Sequence, residues 1–529
     1  MVKVELIVAE DLGSCINNFS RRPLLISVKT VSLGASFCIK KAYLSLMIDT
    51  APSSHTPYDQ PPGSQEIHDL LAYLTPFVTY SILREKSLNE SIDEAWNSLR
   101  DYVEQFGNLT NEKYRKHRAT LLEFLSAYAA LLKWLQHNKG LDAENIYIYT
   151  ERMLVNMPQS SFLDTHDEFL PVIGVPDVVI VRADGSYGVV VDWKTVPERG
   201  NAAHYFQLAL YRHLLQKVMK EVDAFLIYVT KSGMRKVVSL TRPLQSLPNA
   251  QTEYREVNEY IEKAKIVPSL LYGLTFCQSF LKTAVNIGKQ YGIQAFNPRK
   301  GHRPCQYCGH REFCQYRFAK STELTKEERK LRSTFFKLYK IALKKKSEEF
   351  KNLVDFNNCV RFNRLIFESP TVAKLEVALP RGEPFSEEVM RYSLGKTTVY
   401  IFSLNDPLNK NINSKVFYSP MLFGRYEDDE VNLVPRGAKQ MLEVRVRMVS
   451  PMFAVRWLPL YLLYNLKPNA KIFGSILVCP GKVPMNIELK AVATIENAIV
   501  KYERGVSREG KWALEMIKNI VLTVADEYD

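Results

Sequence analysis

Between Ser64 and about Lys139, apolar side chains recur every three or four positions, as in Leu121, Leu122, Phe124, Leu125, Tyr128, Leu131 and Leu132. That spacing predicts a mostly helical block with its first helix starting at Ser64. Residues 146–195 switch to β-branched runs, a helix is expected near 203–220, and a strand pair around FLIYVTKSGMRKVVSL precedes further helices to about Gln290. Upstream, residues 1–62 read as short strands and loops ending in the turn-rich TAPSSHTPYDQPPGS. Downstream, Thr322 to Phe356 is helical in pattern, apolar at Leu331, Phe335, Leu338 and Ala342. The remaining residues, 357–529, carry alternating strands such as LEVRVRMV (442–449) and end in a helix near 509–525.

The most informative segment is GVPDVVIVRADGSYGVVVDWKT, Gly174 to Thr195, two apolar β runs around the turn pair Asp184-Gly185. A turn centred there pairs residues whose numbers sum to the same value, which sets Asp177 opposite Asp192. Two bare carboxylates about 5 Å apart repel, so the pair calls for a cation between them. Lys194 lies two residues from Asp192 and shares its face of the strand. Two acids and a lysine converging on one spot suit Mg²⁺ or Mn²⁺ and phosphodiester chemistry. The competing reading is a strand-end Asp177 beside an exposed Asp192–Lys194 ion pair.

Charge points the same way. The chain has 70 Lys and Arg against 57 Asp and Glu, a formal +13, which favours polyanionic partners. The N-terminal MVKVELIVAEDLGS lacks the build of a signal peptide, and the longest apolar run, Trp457 to Tyr464, is short and contains Pro459. A cytoplasmic protein without membrane contact is expected. Of eight cysteines, Cys305, Cys308 and Cys314 stand as Cys-x2-Cys-x5-Cys, a spacing that can wrap one metal centre. A fourth ligand is open among Cys15, Cys38, Cys277, His302 and His310. Cys359 and Cys479 are expected as packed small apolar side chains. Leu394-Gly395-Lys396-Thr397-Thr398 is no nucleotide loop, because Met390 stands where a glycine is needed and a strand follows. No helicase motor is visible.

In order, Gly174-x2-Asp177, Val189-Val190-Val191-Asp192-Trp193-Lys194-Thr195 and Gln207-x3-Tyr211 resemble the motifs of PD-(D/E)xK nucleases of the RecB-like branch. Gln207 and Tyr211, four apart on a predicted helix, share one face. Upstream, Gly63-x4-His68 resembles that branch's histidine motif, and Glu151 is similar to a less constant acidic position. The resemblance implies a restriction-endonuclease-like α/β core, a mixed sheet flanked by helices. It also implies that His68, Asp177, Asp192 and the Trp193 carbonyl hold Mg²⁺ or Mn²⁺, that Lys194 assists catalysis, and that Gln207 and Tyr211 engage substrate. The segment SLGASFCIKKAYLSL resembles the entry sequence of RecB-like nucleases with iron–sulfur clusters, including the CRISPR-associated exonuclease family. It implies that Cys38 joins Cys305, Cys308 and Cys314 around a [4Fe–4S] cluster; zinc suits four cysteines as well.

The expected division is a nuclease core over 1–320 with a helical insertion at about 80–138, a basic connector helix over 321–356, and an additional α+β C-terminal domain over 357–529. The connector has eleven basic and five acidic residues between Lys320 and Lys351, which reads first as a solvated helix and second as a DNA contact. Glu443, Arg445 and Arg447 are read likewise as a solvated face. The expected activity is exonucleolytic hydrolysis of single-stranded DNA ends, in CRISPR adaptation, repair or recombination, with a separate helicase or CRISPR adaptation proteins as partners. The alternative is a catalytically degenerate nucleic-acid-binding subunit of a larger complex.

Overall fold

The computed structural model describes residues 25–48, 63–106, 109–157, 172–195, 202–229, 233–276, 281–296, 305, 308, 311–351, 353–380, 398–436, 439–449, 454–482, 487–503 and 515–519. After the short strand β1 (Ile26–Ser27), residues expected as strand and loop form two helices, α1 (Val28–Ser36) and α2 (Ile39–Ile48). The Ser27 hydroxyl accepts the Thr30 amide and caps α1. Val28, Val31 and Ala35 then bury at helical spacing, so packing decides a stretch whose β-branched content suggested strand.

The helical block follows as expected, with α3 (Ser64–Leu83), α4 (Leu88–Phe106) and α5 (Asn111–Lys139). Then come β2 (Ile146–Thr150), β3 (Leu154–Asn156), β4 (Val172–Gly174), β5 (Val178–Arg182), β6 (Tyr187–Thr195), α6 (Ala202–Leu215), β7 (Glu221–Val229), β8 (Arg235–Ser239) and β9 (Gln251–Tyr254). Strands in the order β2-β5-β6-β7-β8-β9 form one mixed sheet, in which β6 and β7 run parallel. Period-two alternation gives β6 two different faces. Trp193 points toward α5 and meets Phe124 and Tyr128 edge-on, while Gly188, on the face of Asp192 and Lys194, lets Leu215 of α6 approach.

Helices α7 (Asn258–Phe276), α8 (Leu281–Gln290), α9 (Arg311–Arg317) and α10 (Lys326–Lys351) lead into the C-terminal half. As expected, α10 buries Leu331, Phe335 and Ala342. The next strands are β10 (Val360–Ser369), β11 (Val372–Pro380), β12 (Thr398–Ser403), β13 (Phe417–Tyr418), β14 (Leu422–Arg436), β15 (Lys439–Met448) and, after the helix α11 (Ala454–Leu466), β16 (Gly474–Gly481); a last helix is α12 (Ile487–Glu503). Six of these strands close a barrel in the order β10-β11-β15-β14-β12-β16. Its outer charges pair with each other, Arg445 with Glu368 and Lys374 with Glu376 and Glu443. Of the helix expected near 509–525, residues 515–519 are described and are helical.

Two features depart from expectation. Pairing of Val360 with Val478 across β10 and β16 sets Cys359 opposite Cys479, and these two form a disulfide instead of packing as separate small side chains. The second is β13, which leaves the barrel's run of strands and pairs antiparallel with β3, giving a small sheet in the order β1-β4-β3-β13. A C-terminal segment thus completes a sheet begun by N-terminal strands, and α11 packs on α3 and β2. Among the described residues, no helix is long and apolar enough to cross a membrane.

Candidate active site and cysteine cluster

The hairpin register is the expected one. Val178 pairs with Val191, Val179 with Val190, Ile180 with Val189 and Val181 with Gly188, so Asp177 and Asp192 stand at the open end of β5 and β6. Each carboxyl group acts on the ionisation of the other. Their oxygen contacts are specific. Asp177 Oδ2 accepts the Trp193 amide at 2.6 Å, Asp177 Oδ1 lies 3.7 Å from His68 Nδ1, and Asp192 Oδ2 pairs with Lys194 Nζ at 2.6 Å. Lys194 and Asp192 are thus a buried pair, not an exposed one.

Burial opposes ionisation of both acids, yet they are driven apart. For Asp177 the neighbouring His68 and Lys194 outweigh burial and hold the carboxyl below the usual carboxylate range. For Asp192, burial and the adjacent Asp177 push it well above. Two acids this close resist ionising together, and their surroundings favour the charged form at Asp177 over Asp192. Burial and Asp177 likewise raise Glu151, which stands beside the two aspartates.

Three elements aim these groups. Helix α3 carries His68, and its first residue fastens it to the end of β6, with Ser64 Oγ 2.7 Å from Thr195 Oγ1. Gly63 has φ +81°, and a Cβ there would come within 2.9 Å of the His117 ring, so only glycine lets α3 begin at this place. On α6, Gln207 donates to the Tyr211 hydroxyl at 2.9 Å, and that hydroxyl donates to the Val175 carbonyl at 3.1 Å, two residues from Asp177. Gly174 leaves room for the Tyr211 ring, which an added Cβ would meet at 2.7 Å.

The site also contains residues the sequence reading passed over. His204, half-buried at the start of α6, has Nδ1 3.4 Å from the Tyr228 hydroxyl, and Tyr228 pairs with Lys194 across β6 and β7. Burial, with Lys194 and His68 nearby, lowers its pKa to about 3, so His204 is a neutral imidazole. The signal was its spacing: His204 lies three residues before Gln207 and seven before Tyr211, on the same helical face.

Far along the chain but close in space, Cys38, Cys305, Cys308 and Cys314 line one small cavity with Phe37, Lys41, Leu44, Phe296 and Arg311. All four are free thiols. Burial pushes Cys305 up and Cys314 up to about 12. Cys15, Cys277, His302 and His310 lie outside the described residues. Among the described residues, no group of three or more His, Cys, Asp or Glu already stands in a metal-holding arrangement. At the aspartate pair, Lys194 and the Trp193 amide engage the carboxylate oxygens. The donor set, two carboxylates with an adjacent imidazole, nevertheless has the chemistry of a Mg²⁺ or Mn²⁺ site.

The mixed-sheet fold, acid pair and lysine are compatible with a nuclease, and the comparison with protein families supports that class. Residues 57–315 match the family described as the PD-(D/E)XK nuclease superfamily, so the chain carries a domain of that superfamily over this span. The match supports a metal-dependent nuclease that uses divalent ions such as Mg²⁺ or Mn²⁺ and would act on DNA. No curated protein matches the chain.

Proposed function

We propose that the protein is a RecB-like deoxyribonuclease acting as an exonuclease on single-stranded DNA ends, with roles in CRISPR adaptation, repair or recombination. The observation that carries the catalytic reading is the convergence of Asp177, Asp192, Lys194 and His68 at the open end of one hairpin. His68, Asp177 and Asp192, with the Trp193 carbonyl, would hold the divalent ion. When bound, that ion supplies charge neutralisation at the scissile phosphate and an acidified water. Lys194 orients the attacking water or the phosphate, and the Gln207–Tyr211 pair steadies the Val175 backbone next to Asp177 while presenting polar groups to the substrate.

The four cysteines, gathered in one cavity with Lys41 and Arg311 to balance thiolate charge, would hold a [4Fe–4S] cluster, with zinc as the alternative. The core over 1–320, the basic connector over 321–356 and the C-terminal domain over 357–529 would work as one enzyme in the cytoplasm, fed by a separate helicase or CRISPR adaptation proteins.

The test is cleavage of end-labelled single- and double-stranded DNA with Mn²⁺ or Mg²⁺. Wild type is expected to shorten labelled single strands, while Asp192→Ala and Lys194→Ala lose at least about a hundredfold, the scale of a metal-assisted or proton-transfer contribution. A folded wild type that binds DNA without cutting it would point instead to a degenerate binding subunit. Iron, acid-labile sulfide and zinc content of anaerobically purified protein decides the cluster.

A further inference from the structure

The segment from Thr150 to Met153 stands between the catalytic carboxylates and the C-terminal half. Glu151, directly after β2, has φ +52°, a left-handed conformation that a residue with a side chain adopts only where its surroundings hold it. Its amide donates to the Asp177 carbonyl at 3.2 Å, so the bend at Glu151 and the position of Asp177 are mechanically linked.

Glu151 and Arg152 are adjacent opposite charges, and the C-terminal half presents the complementary charge to each. Arg152 pairs with the buried Asp406 at 2.7 Å and donates to the Ser419 hydroxyl at 2.8 Å and carbonyl at 2.9 Å. Tyr149 donates to the other Asp406 oxygen at 3.1 Å. Arg456, on α11, lines the same cleft as Glu151 and Arg152, with a terminal nitrogen sealed from solvent and its guanidinium 5.4 Å from the centre of the Phe423 ring. Asp69, Asp177 and Asp192 all act on Glu151 as like charges, and Arg456 is a cation that acts against them.

We propose that the C-terminal half is an integral part of the nuclease centre, in which Arg456 faces Glu151 across the cleft and fixes its carboxylate beside Asp177, making Arg456 a positioning residue for divalent-metal binding. The proposal rests on the nuclease reading above. A carboxylate on a strained bend, surrounded by three other acids, swings away from them unless a cation holds it. Lys194 cannot do this, because it sits on Asp192 itself. Arg456 approaches from the side of the C-terminal half, so it orients Glu151 without occupying the space between Asp177 and Asp192.

The experiment is Mn²⁺ binding to the full chain, followed by electron paramagnetic resonance, for wild type, Arg456→Lys, Arg456→Met, Glu151→Gln and the Glu151→Gln/Arg456→Met double variant, with cleavage measured alongside. Arg456→Met and Glu151→Gln are each expected to weaken Mn²⁺ binding at least about tenfold, the usual scale for an outer partner of a metal site. Arg456→Lys should recover most of the loss, and the double variant should be no worse than either single one, as for two residues acting as a unit. Wild-type Mn²⁺ affinity in Glu151→Gln, which retains Arg456 and so its fold, overturns the proposal, as does a double variant whose losses multiply. A wild type that neither binds Mn²⁺ nor cuts DNA removes the nuclease reading and this proposal with it, whereas an active wild type with unaltered variants removes this proposal alone.

Discussion

Asp177 and Asp192 face each other across one hairpin, yet their surroundings give them opposite protonation preferences, and the difference comes from what each oxygen touches. Asp177 takes a backbone N–H and a nearby imidazole, while Asp192 takes a single lysine in a fully buried place. Around this pair the most revealing single atom is the Tyr211 hydroxyl, which is the donor to Val175 and the acceptor from Gln207. Tyr211→Phe removes both bonds while keeping the ring that fills the space beside Gly174. Leaving a part-buried carbonyl without its donor costs about 1–3 kcal/mol, so thermal unfolding should shift down by that equivalent. The cleavage rate should fall more than stability alone predicts, because the Val175 backbone sets Asp177. A variant with a lower melting temperature and an unaltered rate would separate Tyr211 from the chemistry.

At the scale of elements, helices α3 and α5 meet through Glu66, which bonds His117 at 2.8 Å and pairs with Lys113 and Lys116. These partners, His117 first, hold the Glu66 carboxyl below its ordinary value of 4.5. A lowered folded-state pKa stabilises the protein fully above the unfolded value and loses that contribution as pH falls through the folded one. Glu66→Gln should therefore flatten the acid limb of the stability curve below pH 4.5, read as melting temperature against pH. Metal loading of the cysteine cavity should depend on pH in the same direction. Thiols raised by burial must lose protons to bind metal, so reconstitution with zinc, or with iron and sulfide, should be markedly weaker at about pH 6 than at about pH 8. Loading that ignores pH would argue against thiolate ligation.

The elements also show what local pattern can and cannot reveal. Asp177, Asp192 and Lys194 were legible because a two-residue turn and a period of two fix a hairpin register without any tertiary information. The clustering of Cys38 with Cys305, Cys308 and Cys314 was legible only through resemblance, since nothing local relates residues so far apart. Helices α1 and α2 were misread because Val28, Val31 and Ile39 favour strands intrinsically, and burial against α6 and α7 overrides that preference. His204 was passed over because a lone histidine on a helix carries no signal until the face it shares with Gln207 and Tyr211 is considered. The disulfide and the placement of β13 depend on long-range pairing that no window of sequence contains.

Across the whole molecule, the two halves of the chain are joined by more than a linker. β13 pairs with β3, α11 packs on α3 and β2, and Arg152 and Asp406 form an ion pair with side chains 4% and 0% exposed. Taking both charges out of water is expensive, and their attraction offsets that cost only while each keeps its other bonds, here from Tyr149, Ser419 and the Leu408 amide. Asp406→Leu alone leaves the Arg152 guanidinium buried beside an apolar group and should cost about 3–5 kcal/mol. The Arg152→Leu/Asp406→Leu pair removes both charges together and should recover a large part of that loss. Because the network spans both halves, the single change should shift one cooperative transition, seen by calorimetry, rather than melt the barrel and leave the nuclease sheet standing. Two separate transitions in the wild type, with only the later-melting or earlier-melting one moved by Asp406→Leu, would mean that the contacts at β13 and Arg152 do not couple the halves. One shared transition would mean that the fold of the matched nuclease domain depends on a barrel that lies outside it.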